Sequence, residues 1–310
     1  MTKKVAITSE FFGKFSDAAQ QILEDNGLEV IPNHYQKFLD KEAEIISLSK
    51  TANAIICDLE HISKNVIDNS PELEIIARRG VGTDSVAVAY AEEKGIKVAR
   101  TLGVVEKPVA ELVMAYILDI SRRIQSVNIA MHAGKWNKLL GHSLDGKTIG
   151  IIGLGNIGRE ITRKAQAFDM QVVYFDVQRQ QTAEAELGIK YMPLNELYKN
   201  ADIITLHVPL NKHTENLIDY QALNLMEKQP ILINTARGPV VNEADLAKGL
   251  KEGLISYAAV DVFDQEPKTD SVLKDCENVI LTPHVGTFTE EIFIKMDVLA
   301  AQNIVNHFKK

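Results

Sequence analysis

Three short segments of this chain crowd together groups that can bind anions, move protons and tune one another. Asn234-Thr235-Ala236-Arg237-Gly238 carries a guanidinium, which can hold a carboxylate through two parallel hydrogen bonds as a lysine cannot. Asp261-Val262-Phe263-Asp264-Gln265-Glu266-Pro267 gathers acids and an amide, and Thr282-Pro283-His284-Val285-Gly286 stiffens the backbone just ahead of an imidazole. Each segment follows an apolar run that reads as a strand: Ile231 to Ile233, Tyr257 to Val260 and Val279 to Leu281. Taken singly, each has a plainer reading as a surface ion pair, a hydrogen-bonded structural histidine or a loop. Together they supply what hydride exchange with an α-keto acid needs. That is a cation to hold and polarise the acid, an acid–base working near neutral pH, and a carboxylate to tune it.

A fourth segment supplies the hydride carrier's site. The strand-like run from Lys147 to Ile152 leads into Gly153-Leu154-Gly155-Asn156-Ile157-Gly158, and an amphipathic helix follows. The first glycine permits the tight turn, the second a close approach of the backbone to a pyrophosphate, and the third close packing of helix on sheet. The helix N-terminus offers N–H groups and partial positive charge to the phosphates. Asp176 ends the next strand, Val172 to Phe175, eighteen residues after Gly158, where it can accept from ribose hydroxyls and repel a 2′-phosphate. NAD is thus expected over NADP, with nearby Arg179 weakening the preference.

The elements that must position these groups alternate in type. Val5 to Thr8, Leu28 to Ile31, Ala54 to Ile56, Ile75 to Ala77 and Ile96 to Ala99 read as strands, with helices at Phe15 to Glu24, Glu42 to Leu48 and Val86 to Glu93. Such β/α alternation predicts a parallel sheet covered by helices. A long helix is predicted from Pro108 to about Arg123, and a last one from about Thr289 to Phe308 that returns to the first domain. The expected fold class is therefore α/β with two parallel-sheet, Rossmann-like or flavodoxin-like domains. Residues 1–101 and 287–310 would form a substrate domain, into which an NAD domain, 102–286, is inserted.

The net charge of −8 argues against nucleic acid or an anionic membrane as partner, so an anionic substrate must be drawn in by local cations. The N-terminal segment reads as a strand rather than a signal sequence, and the most apolar helix is broken by Glu111 and Asp119. Cys57 and Cys276 stand far apart without metal-ligand spacing, which predicts a reduced, cytoplasmic setting and no metal site.

The ordered motifs resemble those of the D-isomer-specific 2-hydroxyacid dehydrogenases along nearly the whole chain, and in pattern the short D-3-phosphoglycerate dehydrogenases. The carrying residues are the four segments above, Arg79-Gly80-Val81-Gly82-Thr83-Asp84, Val109-Ala110-Glu111 and His207-Val208-Pro209-Leu210. The resemblance implies that His284 is the acid–base, that Glu266 orients its ring, and that Arg237 binds the substrate carboxylate with the backbone N–H groups of Val81 and Gly82. It further implies that Asp261 holds the nicotinamide carboxamide. His207, Pro209, Thr235 and Ala236 would line the cofactor, and the cofactor domain would form a homodimer through the long helix and an arm containing Trp136. One departure bears on the substrate. Phosphoglycerate-specific relatives carry an arginine after the third strand, where this chain has Cys57-Asp58-Leu59-Glu60-His61. Two acids there should repel a phosphate, leaving Arg78, Arg79 and Arg100 to compensate. Three readings follow: a phosphoglycerate-type dehydrogenase, a hydroxypyruvate or glyoxylate reductase, and an NAD-sensing binding protein of the co-repressor kind. Glu266 argues against formate dehydrogenase, which lacks that partner of the histidine.

Overall fold

The computed structural model describes residues 2–309. The chain divides into two compact units, Met1–Val105 with Thr287–Lys310, and Glu106–Gly286. In chain order the first unit contains β1 (Lys4–Ile7), α1 (Ala18–Asp25), β2 (Glu29–Ile31), α2 (Glu42–Ser49) and β3 (Ala54–Cys57). It continues with α3 (Lys64–Asp68), β4 (Ile75–Arg78), α4 (Val88–Glu93) and β5 (Lys97–Arg100). The second opens with α5 (Glu106–Arg122), α6 (Ile124–His132), β6 (Thr148–Ile152), α7 (Asn156–Gln166), β7 (Gln171–Phe175) and α8 (Gln181–Leu187). There follow β8 (Lys190–Tyr191), α9 (Leu194–Asn200), β9 (Ile203–Leu206), α10 (Tyr220–Asn224) and β10 (Ile231–Asn234). It closes with α11 (Glu243–Glu252), β11 (Tyr257–Val260) and β12 (Val279–Leu281), after which α12 (Glu290–Phe308) belongs to the first unit.

The first unit's sheet has the order β2-β1-β3-β4-β5, every pair parallel. Its central strands are buried at every position because helices cover both faces: all four residues of β3 and of β4 are buried, apolar except for Arg78 at the end of β4. Helix α12 packs on α1 and β4, giving Ala300, Ala301, Ile304 and Val305 to the core around Val5, Ile7, Leu23 and Ile75. Apolar residues recurring every three or four positions make this a helix with one buried stripe.

The second sheet runs β12-β11-β10-β9-β6-β7-β8, again all parallel. Strand order reverses between β6 and β9, the switch point at which open α/β sheets bind ligands beyond the strand carboxyl ends. Helix α5 starts two residues before Pro108, which sits in the first turn where its missing N–H costs no helical bond. Helix α5 packs on α7, and its stripe Val113, Met114, Ile117 and Ile120 shares one core with Ile149 and Ile151 of β6 and Ile161 of α7. Among the described residues, no helix is long and apolar enough to cross a membrane.

Candidate active site

The glycine turn stands at the switch point. Gly153 has φ +96°, and a Cβ there would lie 2.5 Å from the His207 carbonyl oxygen, so the loops after β6 and β9 approach as only glycine permits. A Cβ on Gly158 would lie 2.5 Å from the Gly153 carbonyl oxygen, which fixes α7 close against the turn. Gly155, the N-cap of α7, has nothing within 4 Å of the same imagined atom and no side chain to satisfy the helix's first N–H groups. Asn156 is exposed and Ile157 half-buried on that first turn. Asp176 follows β7 and faces the turn: Oδ2 accepts from the Leu154 N–H at 2.9 Å and from Gln180 Nε2 at 3.3 Å, and Oδ1 from the Gln178 N–H at 3.3 Å.

The fit to NAD is also visible in what the protein leaves unbonded. His207 Nδ1 after β9 and Thr235 Oγ1 after β10 are buried polar atoms without a protein partner, and groups of that kind ordinarily find one. Burial lowers His207 to about 3, so its ring is neutral, and Nε2 pairs with Thr205 Oγ1 at 2.7 Å. Pro209 is exposed beside it and Ala236 is buried. Asn234 shapes the loop that carries Arg237: its amide oxygen accepts from the Ala236 N–H at 3.0 Å and its Nδ2 donates to the Arg237 carbonyl at 2.9 Å. Arg237 is half-buried, with Nη1 donating to the Ala236 carbonyl at 2.6 Å.

His284 and Glu266 meet: imidazole Nδ1 and carboxylate Oε2 are 2.6 Å apart. Glu266 Oε1 is engaged by the Phe263 N–H at 2.9 Å. Burial alone would push this carboxyl up. The hydrogen bond and charge of His284, with the Phe263 N–H and the charge of Arg237, overcome that and hold it below the usual range. The arrangement fixes the ring with Nδ1 occupied and leaves Nε2 as the nitrogen that can exchange a proton with a ligand. Both side chains keep about a third of their surface, 31% for His284 and 27% for Glu266.

One sequence expectation is revised. Arg79 is not placed as a substrate ligand: its side chain has 0% exposure. Its Nε donates to Asp297 Oδ1 at 2.6 Å, its Nη1 to Asp58 Oδ2 at 2.5 Å and to Ser9 Oγ at 2.9 Å, and the guanidinium stacks over Phe293. Arg78 is likewise buried and pairs with Asp58 Oδ1 at 3.1 Å, so neither arginine is available to a phosphate. Asp261 is 1% exposed. Oδ1 accepts from the Thr282 hydroxyl at 2.5 Å and the Val285 N–H at 2.8 Å, and Oδ2 from the Gly286 N–H at 2.9 Å. It secures the loop on which His284 sits. Val81 and Gly82 lie half-buried in the first unit's glycine loop, after β4.

Sequence reasoning passed over Gln180 and Tyr116, and named Asn234 in its motif without giving it a role. Gln180 is a polar residue beside a motif already marked. Tyr116 sits in the apolar stripe of α5, where a tyrosine signals by needing a partner for its hydroxyl.

A protein-family model, the NAD-binding domain of the D-isomer-specific 2-hydroxyacid dehydrogenases, matches residues 114–286. A glyoxylate reductase of Thermococcus litoralis is 36% identical over 297 residues, covering 91% of this chain and 90% of that protein. A hydroxypyruvate reductase of Thermotoga maritima is 36% identical over 280 residues, 89% of each. The structure of a D-lactate dehydrogenase from Aquifex aeolicus, complexed with NAD and lactic acid, superposes with a TM-score of 0.85 at 27% identity, over 99% of this chain and 96% of that one. With the α/β switch-point site already described, these matches establish that the chain belongs to the D-isomer-specific 2-hydroxyacid dehydrogenase family and is an NAD-dependent oxidoreductase acting on CH–OH groups.

Proposed function

We propose that this protein reduces a small, unphosphorylated 2-keto acid of the glyoxylate or hydroxypyruvate kind to the D-2-hydroxy acid, in the reversible reaction of its family. The observation that carries the choice is the state of the charges beyond β3 and β4. A phosphate would meet Asp58 there, while Arg78 and Arg79 are already paired internally. The resemblance to phosphoglycerate dehydrogenases therefore loses weight to the reductase reading, which the names of the Thermococcus and Thermotoga relatives also favour.

In this reading, bound NADH supplies the hydride. Gly153, Gly155, Asn156, Ile157 and Gly158 seat its phosphates, Asp176 its ribose, and His207, Pro209, Thr235 and Ala236 its nicotinamide half. Arg237 holds the substrate carboxylate and draws electron density from the adjacent carbonyl. His284 Nε2 gives its proton to the keto oxygen, and takes it back from the hydroxyl in the reverse direction. Glu266, bonded to Nδ1, keeps the ring in register.

The test is a panel of 2-keto acids assayed by NADH absorbance: glyoxylate, hydroxypyruvate, pyruvate and 3-phosphohydroxypyruvate. The unphosphorylated acids should lead in kcat/KM. A clear preference for the phosphorylated acid would overturn the substrate class, and turnover of none would overturn the catalytic reading.

A homodimer through the second unit is part of the proposal. Helix α6 buries no residue, and Ile129, Trp136 and Leu140 are 60%, 79% and 91% exposed. An apolar surface of this kind favours a protein partner. Sedimentation of the protein as a monomer at micromolar concentration would refute it. The free cysteines Cys57 and Cys276 suit a reducing, cytoplasmic setting.

A further inference from the structure

The backbone beneath the imidazole is held by a residue the motifs do not include. His284 has φ +53°, in the left-handed region that a non-glycine residue seldom occupies unless its surroundings impose it. The surroundings here are largely one residue. The His284 N–H donates to the Asp261 carbonyl at 2.8 Å, and the Asp261 carboxylate receives the next two N–H groups, those of Val285 and Gly286.

What orients that carboxylate is a chain of two hydroxyls. Thr282 Oγ1 donates to Asp261 Oδ1 at 2.5 Å, which commits its only proton. The Tyr116 hydroxyl lies 2.5 Å from the same Thr282 oxygen and must therefore be the donor in that bond. Tyr116 is 4% exposed and stands on α5, 166 residues away from Thr282 in sequence. Its neighbours on the helix, Val113, Met114, Ile117 and Ile120, are all apolar. A leucine or phenylalanine would satisfy that packing, and a buried hydroxyl stabilises nothing unless it is bonded. The order Tyr116 to Thr282 to Asp261 to the 284–286 backbone thus has directed donors at every step, ending under the histidine.

We propose that Tyr116 is a positioning residue for the reaction: its hydroxyl, acting through Thr282, fixes the Asp261 carboxylate that clamps the left-handed backbone of His284. The proposal rests on His284 being the acid–base, and the experiment separates the two. Tyr116→Phe deletes one oxygen and keeps the ring, and Thr282→Val keeps the shape while removing the relay. Tyr116→Phe should lower kcat about three- to thirtyfold, with KM for NADH and for the keto acid unchanged within twofold and an unaltered thermal midpoint. Thr282→Val should lower kcat at least as far, and the double variant should be no slower than Thr282→Val alone, because both act along one path. Wild-type kcat in Tyr116→Phe, or multiplicative losses in the double variant, would overturn the strut. A fall in kcat accompanied by a lowered midpoint and raised KM would mark a merely structural tyrosine and overturn it as well. His284→Ala, measured alongside, reports on the acid–base assignment itself: wild-type turnover there would remove the premise, whereas its loss with Tyr116→Phe unaffected would leave the premise and remove the strut.

Discussion

At the carboxyl ends of its parallel strands the first unit carries Asp58, Glu60, Arg78 and Arg79, and the second carries Asp176, Arg237, Glu266 and His284. The first group spends its charges on itself. Arg79 is enclosed between Asp58 and Asp297, Arg78 is bonded to Asp58, and Glu60 is 1% exposed, receiving the Asp58 N–H at 2.6 Å and the Thr8 hydroxyl at 3.3 Å. The second group keeps accessible faces: His284 and Glu266 are bonded to each other yet remain about a third exposed. Charge at a strand end is therefore a poor sign of a ligand site. Both units leave buried polar atoms without a partner, Arg78 Nε and Arg79 Nη2 in the first and His207 Nδ1 and Thr235 Oγ1 in the second. What distinguishes them is that the charged groups of the first are enclosed and ion-paired, whereas those of the second can be reached.

That contrast can be broken most forcefully at His284. If the second unit holds the reactive groups, His284→Ala should lower kcat/KM by about 10²- to 10⁴-fold with the thermal midpoint nearly unchanged, read by NADH absorbance and by unfolding. In the first unit the opposite pattern is expected. Arg79→Met leaves Asp297 and Asp58 buried beside an apolar chain and should destabilise the fold by about 3–5 kcal/mol, while protein that remains folded binds NADH as before. A stable variant that had lost only substrate affinity would return Arg79 to the ligand site.

The smallest effect is the most diagnostic of buried charge. Burial, reinforced by the Asp58 carboxylate, pushes Glu60 from its ordinary 4.5 up to about 7. The folded chain therefore keeps a proton that the unfolded chain releases across that window. Glu60's contribution to stability accordingly falls as pH rises from about 4.5 to 7 and is constant above it. Glu60→Gln, neutral throughout, should exceed wild type by about 1–3 kcal/mol near pH 8 and match it near pH 4.5 in denaturant unfolding. A difference independent of pH would show that Glu60 is not held neutral by its surroundings.

Much of this was legible before any coordinates. The alternation of short apolar runs with amphipathic stretches predicts two parallel sheets because its signals are local, and Arg237, Glu266 and His284 stand in strand-end segments short enough to be read as units. Arg79 reads as a ligand in the sequence because the partner that encloses it, Asp297, is 218 residues away and arrives on a helix whose sequence says nothing of an arginine. The bonds from Asp261 to the Val285 and Gly286 N–H groups are illegible for a related reason, since they depend on the turn of a loop more than twenty residues on. The two-residue strand β8 and the short helices α3 and α10 carry too few residues for any periodicity to register.

The return of α12 to the first unit has a consequence for how the chain is made. Glu106–Gly286 is contiguous and can complete its core as it leaves the ribosome. The sheet of β1 to β5, although translated earlier, shares the core that α1 begins with Ala19 and Leu23 and that Ala300, Ala301, Ile304 and Val305 complete. The later-translated unit can therefore close first, while the unit begun earliest keeps one core incomplete until α12 emerges.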